Sequence, residues 1–469
     1  MLIKEFFAAK NGGIFMSKSK NETLSKIITV LIGGLLLGML WRARGEHGWG
    51  SEAGVFNVGF VFALFLSVVT GSRKKLDFGW LSVTAMSFIA TVPAWGPLLN
   101  QITGVIRDTE KDGTQEFIEQ ISPASGMFMM LCLGFGLAGI YAILLGRGYS
   151  DKRWRVRDIV IIIAVFLVSD QVSRYTFSHW IVNLVQPEAA TLFERGLEMA
   201  GVEGTAYGVY LEHWGDMSWA KKIVGGRNYF TEVQAVSSAV RALAALLAAR
   251  FIIKDKVAAK IATVICCAFA VSITVSDGFF YLQNANPADY RDTLLGFDFY
   301  AWSCWEYFTG FIAGVIITAY MLSLRKTQDV PELAFENFPE KPKKVLVFMA
   351  GYLGTVGVNL VRPIILRFDS TETSTIIAAV AGVIFAAAVI ALLVWKCGFN
   401  AEKISADSFY RILLAIFAVF DILLYFFVCT AEYRNWLEIN MLHNVIFAAS
   451  AVIVTAWIAL SKPKAQLQE

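Results

Sequence analysis

Trp41-Arg42-Ala43-Arg44-Gly45-Glu46-His47-Gly48-Trp49-Gly50-Ser51-Glu52 concentrates more reactive groups than any other stretch of this chain. It combines two guanidiniums, two carboxylates and an imidazole with glycines that let backbone approach a ligand or bend back. Arginine grips phosphate or carboxylate through paired N–H groups, and glutamate or histidine moves protons. The pattern suits transfer of a group from an anionic donor. Glu46, Glu52 or His47 would serve as general base, Arg42 and Arg44 would hold the donor, and Trp49 would offer a flat wall. A plain interfacial turn would instead pair these arginines with these glutamates.

Further reactive residues follow at longer range. Glu212-His213-Trp214-Gly215-Asp216 repeats the Glu-His pattern beside Trp and Gly, and His213 is read as part of a second wall of the same site. Glu306, within Trp302-Ser303-Cys304-Trp305-Glu306-Tyr307, is an aromatic-flanked carboxylate read as catalytic. Such rings suit stacking on a sugar, although anchoring at a membrane interface explains them too. Asp170, Arg174, His179, Asp277 and Arg362 are read as substrate-binding. Asp170 and Arg174 are four residues apart, so one can neutralise the other on a helix. Gly225-Gly226-Arg227-Asn228 can cradle an anion or simply turn the chain. Arg241 and Asp421 fall deep in apolar segments, where they are expected to lock together or to couple protons. No metal-ligand spacing such as HExxH is present, so a divalent metal is only weakly indicated and no cofactor is identified.

These residues must be positioned by a bundle in lipid. The chain has 469 residues, 56% hydrophobic and 17% charged, with mean hydropathy +0.57. A soluble domain carries roughly 25% charged residues. The excess recurs in runs of about 20 residues, the length that crosses a hydrocarbon core. A soluble enzyme, a disordered chain and a nucleic-acid binder are excluded. The fold class expected is all-α and polytopic, because only helices satisfy their backbone within each non-alternating run. About twelve spans are predicted: 26–41, 54–70, 78–99, 124–146, 158–174, 232–253, 257–277, 302–324, 345–361, 374–396, 411–430 and 440–460. Most Lys and Arg then gather on one side, with the densest stretch between Arg147 and Arg157, so both termini are expected in the cytoplasm. All four histidines (47, 179, 213, 443) and most tryptophans fall at the other, outer ends.

The organisation expected is a leader (1–25), one helical membrane domain (26–460) and a cytoplasmic tail (461–469). The domain includes a long outer loop, 186–231, and a cytoplasmic linker, 325–344. No cleavable signal follows the first span, and Met16 offers a second start. Residues 191–199 read as an amphipathic helix on the membrane surface, and 100–122 as an acidic outer loop. Gly34–Gly38, Gly310–Gly314 and Gly351/Gly354/Gly357 carry the spacing of close helix packing. Val168-Ser169-Asp170 and Val275-Ser276-Asp277 form a thin internal echo. Cys304 and Cys429 can meet in a disulfide, and the other cysteines read as small buried residues.

The function expected is a transferase of the plasma membrane, its site facing outward and acting on a lipid-linked or envelope glycan or acyl substrate. The alternative is a twelve-helix secondary transporter, possibly proton-coupled, moving a small polar solute. A scaffold of the envelope explains the loops but not the dense Glu/His/Arg turn. Membrane lipid is the expected partner, nucleic acid is not, and the oligomeric state is open.

Overall fold

The computed structural model describes residues 18–46, 52–70, 84–85, 87–88, 98–109, 115–152, 154–282, 292–294, 297–327 and 441–460, with single positions between 380 and 418. The structure is mostly helical. Six helices among the described residues are long and apolar enough to cross a membrane: Glu22–Arg44, Pro123–Gly148, Gly226–Ile252, Lys256–Leu282, Ala301–Leu324 and Met441–Leu460. The expected span at 345–361, and nearly all of 78–99, 374–396 and 411–430, lie outside the described residues.

In chain order the helices are α1 (Lys18–Glu46), α2 (Glu52–Val69), α3 (Pro123–Gly148), α4 (Val156–Arg174), α5 (Phe177–Val185), α6 (Pro187–Met199), α7 (Ala206–Glu212), α8 (Met217–Ala220), α9 (Gly226–Leu247), α10 (Lys256–Ser276), α11 (Gly278–Leu282), α12 (Ala301–Thr327) and α13 (Met441–Leu460). Pro123 and Pro187, expected in loops, instead open α3 and α6. The first helical position has no use for an N–H, so proline fits there.

The long helices pack in the order α2–α1–α12–α10–α3–α9–α4, with α13 against α1 and α12. Lipid tails are as apolar as leucine, so close backbone approach must hold such a bundle. The predicted glycine pairs supply it. A Cβ on Gly310 would lie 2.3 Å from the Leu37 carbonyl oxygen, and one on Gly314 would lie 2.4 Å from that of Gly33. Gly134 and Gly146 do the same for α3 against α10, and Gly136 for α3 against α9. The third motif, Gly351/Gly354/Gly357, lies outside the described residues. On α4, Val160, Ile163, Leu167 and Val172 are exposed, an apolar outer face fit for lipid.

One end of the bundle is pinned by Asp255. It caps α10 through the Ala258 N–H at 2.9 Å and accepts from Ser150 Oγ and Trp154 Nε1, both at 2.8 Å. The basic stretch after α3 is thereby tied to the start of α10. The opposite end holds the Arg42 side of α1 and the first turns of α12 and α13.

Two features depart from the all-α expectation. Val105–Thr109 (β1) and Glu116–Gln120 (β2) form an antiparallel hairpin within the segment read as an acidic loop. Asp292–Leu294 (β3) and Phe297–Phe299 (β4) form a second one. Residues 187–199 are helical and amphipathic, but their apolar face is covered by protein. Leu192, Phe193 and Leu197 are buried, and Phe193 packs on Tyr229 and Phe230 of α9.

Candidate functional site

The last turns of α1 meet the first turns of α12. Arg42 Nη1 donates to Glu306 Oε2 at 2.7 Å, and Arg44 Nη2 donates to Glu306 Oε1 at 3.1 Å. Arg42 Nη2 also reaches Ser303 Oγ at 2.7 Å. All three charged side chains are buried. Arg44 lies 4.3 Å above the Trp41 ring and donates to the Trp41 carbonyl. Trp41 and Trp305, read as interface tryptophans, are wholly buried core. Trp41 packs on Phe88 and Phe269, while the Trp305 indole N–H donates to the Ile273 carbonyl at 3.2 Å.

α13 adds His443 to this end. It is buried, within electrostatic reach of Arg42, and edge-on to Tyr307 at 6.0 Å between ring centroids. Tyr307 OH in turn bonds Ser450 Oγ. His443, Ser303 and Tyr307 were not among the sequence-derived candidates. Their placement in the first turns of two spans, at the same end of the bundle, is the signal that could have found them.

α1 ends at Glu46 and α2 begins at Glu52. Glu46 is two residues beyond Arg44 in the same helix. His47 and Trp49 lie outside the described residues, as do Arg362 and Asp421.

A second Arg–carboxylate–Arg arrangement joins α4 to α9. Asp170 accepts from Arg174 at 2.9 Å, four residues along the same helix, and from Arg241 of α9 at 3.4 Å. Arg241 also covers the Phe166 ring at 4.8 Å. The structure thus gives Arg241 a partner other than the expected Asp421. Asp277, the echo of Asp170 in the sequence, is held quite differently. Its Oδ1 accepts the Asn100 backbone N–H at 3.1 Å, and Oδ2 has no hydrogen-bond partner among the described residues.

The 212–216 segment does not face the Arg42 cluster. α7 packs on α6, and α8 on α9, whereas α1 and α12 occupy the other side of the row. His213 stacks on Trp219 at 3.6 Å and Asp216 caps α8, so this stretch is a surface turn and not the second wall. The Gly225–Asn228 turn holds an anion, but one of the chain's own: Gly225 N–H donates to Asp108 at 2.7 Å, docking the β1–β2 hairpin. With φ at +73° Gly225 has the left-handed backbone that glycine permits.

His179 lies in an aromatic box of Tyr207, Tyr210 and Tyr229, its Nδ1 3.0 Å from Tyr229 OH. Burial pushes its pKa down to about 4, against an opposing bond from the Arg174 carbonyl. The same burial pushes the Tyr210 hydroxyl up. His179 is therefore a neutral packing element between the outer helices and α9.

A third group carries no mark in the sequence. Glu232 of α9 is buried with Gln101 and Gln186 around a turn that is not α-helical. Among the described residues no three His, Cys, Asp or Glu side chains stand together as ligands for a metal. Cys132, Cys266, Cys267 and Cys304 are free thiols, and Cys429 lies outside the described residues. No protein-family model matches the chain, no curated protein is similar to it, and no solved structure resembles it.

Proposed function

We propose that this protein is a membrane-embedded transferase acting on a lipid-borne anionic donor at the Glu306 end of the bundle. The reading is carried by one observation: two arginines and a glutamate from different spans are buried together where α1 runs into the Glu46–Glu52 turn. Charges at membrane depth are costly and mark sites by default. Glu306 engages an arginine with each of its oxygens, which suits a residue positioning Arg42 and Arg44 better than a general base. The arginines present N–H groups to a phosphate-linked glycan or acyl donor. Glu46, His47 or Glu52 takes the proton of the acceptor, and His443 joins them as a further candidate base. The full architecture proposed is twelve spans with both termini cytoplasmic, in the plasma membrane, with the Glu306 end extracytoplasmic. The basic stretch at the Asp255 end supports that orientation.

The test is transfer of label from radioactive polyprenyl-phosphate sugars or acyl donors to envelope material by membranes containing the protein. Alanine at Glu46, His47 and Glu52 together should abolish it. If all three are dispensable for function while Asp421 is not, the transferase reading is lost.

A second reading, secondary transport, is favoured by a different observation. The turn at Asn100–Gly104 is irregular backbone held between two buried carboxylates, Glu232 and Asp277. Transporter sites are commonly built on interrupted segments of this kind. Solute uptake by proteoliposomes on an imposed ion gradient would decide for it.

A further inference from the structure

The Asn100–Gly104 turn gathers oxygens and, among the described residues, no cations. Asn100 and Gly104 both have left-handed backbone, φ +76° and +85°, and bracket the single 3-10 turn Gln101–Thr103. The turn wedges against α3, where a Cβ on Gly126 would lie 2.5 Å from the Gln101 carbonyl oxygen. Irregular backbone at membrane depth is tolerated where protein covers it or where it lines a polar site.

Glu232 is wholly buried here. Its Oε1 accepts from Gln186 Nε2 at 2.7 Å and from Gln101 Nε2 at 3.0 Å, and Gln186 Nε2 also reaches Gln101 Oε1 at 3.1 Å. These bonds fix the Gln186 amide, because turning it over would set its oxygen against two acceptors. What remains is acceptor oxygen. Glu232 Oε2 and Gln186 Oε1 have no donor among the described residues, and both side chains are fully buried. On the other side of the same turn, the buried oxygens Asn100 Oδ1 and Asp277 Oδ2 also have no donor among the described residues, Asp277 being fully buried and Asn100 partly so. A buried polar cluster ordinarily matches donors to acceptors; this one has a surplus of acceptors alone. Among the described residues no Lys, Arg or His acts on Glu232, and the charge that reaches it is another carboxylate, Glu188.

We propose that Glu232, Gln186 and Gln101 form a binding site for a monovalent cation, with Glu232 Oε2 and Gln186 Oε1 as its side-chain ligands. Hard cations take oxygen ligands, and divalent ions recruit several carboxylates. One carboxylate among neutral amides balances a single positive charge. The site lies on the α3–α9 side of the bundle, apart from the Arg42 cluster, so it stands or falls independently of the transferase reading.

The experiment uses the full-length protein in nanodiscs. Thermal unfolding is followed in sodium, potassium and choline chloride at equal ionic strength, and ²²Na⁺ binding is measured by equilibrium dialysis. Saturable stabilisation by sodium or potassium over choline is expected, and in Glu232→Gln that response is lost while the helical signal is retained. A Glu232→Gln protein that still responds like the wild type overturns the site. So does a wild-type protein that treats all three salts alike and binds no ²²Na⁺, an outcome in which the oxygens meet water only. If Glu232→Gln does not fold, Gln186→Leu and the wild-type dialysis decide by the same criteria.

Discussion

Four of the six buried carboxylates among the described residues divide into two kinds. Glu306 lies between two arginines of the packed helix α1, and Asp170 between Arg241 of the packed helix α9 and Arg174 of its own next turn. Glu232 and Asp277 are held by amide N–H groups and keep one oxygen without a partner among the described residues. The first kind is electrostatically tied and mechanically fixed. The second keeps its charge uncancelled by its partners, because an amide donor stabilises a carboxylate without neutralising it. All four belong to the same membrane bundle, so the difference between them lies in their partners and not in how much lipid surrounds them.

The largest test of this division is Glu306→Gln. It leaves Arg42 and Arg44 buried against a neutral amide, and breaking a buried pair from one side costs about 3–5 kcal/mol. Thermal unfolding in detergent should show the loss. Replacing Arg42, Arg44 and Glu306 together by apolar residues of similar volume should restore much of it, since a buried ionic group is often no more stable than its apolar substitute. A Glu306→Gln protein as stable as the wild type would break the comparison at its firmest point.

The first kind was legible in the sequence; of the second, Asp277 stood out at the end of an apolar run and Glu232 did not. Arg42, Arg44, Glu306, Asp170 and Arg174 announce themselves as charges in or beside apolar runs. The Gly34–Gly38 and Gly310–Gly314 spacings announce the α1–α12 contact that brings three of them together. Partners across the bundle are another matter. Arg241 meets Asp170 because α9 begins at Gly226, earlier than its apolar run suggests, and packs along α4. Glu232 and Gln186 look like ordinary polar residues near the start of one span and inside a loop, and Gln101 like the start of an acidic loop. Only the tertiary contact of three distant segments buries them. The β1–β2 hairpin was hidden for a similar reason: its strands are short and rich in charge, and they are stabilised by docking Asp108 onto the start of α9.

His179 extends the second kind to an imidazole held without a counter-ion. Its pKa is about 4 in the fold and about 6.5 in an unfolded chain. A proton therefore binds the unfolded form more tightly between these values. The stabilisation is complete above about pH 6.5 and is lost as pH falls toward 4, by up to about 3 kcal/mol. Hydrogen exchange of residues 177–229 should quicken over that window, and His179→Gln should flatten the response. A smaller effect is expected from Asp170→Asn. Arg174 is partly exposed and the Arg241 contact is long at 3.4 Å, so water can compensate and the cost should be about 1–2 kcal/mol. A double-mutant cycle of Asp170→Asn with Arg241→Met would isolate the inter-helix share.

The smallest change in stability is expected where the division matters most. Glu232→Gln removes a charge that has no cationic partner among the described residues, and it keeps an oxygen to accept from Gln101 and Gln186. In choline chloride its unfolding should fall within about 1 kcal/mol of the wild type, the range of a single neutral hydrogen bond. Set beside Glu306→Gln, the same chemical substitution at a comparably buried carboxylate should thus cost several times less. That ratio is the quantity to measure, because it separates a carboxylate that holds helices together from one that waits for an ion. If both substitutions cost the same, Glu232 is a structural group, and the two kinds of carboxylate collapse into one.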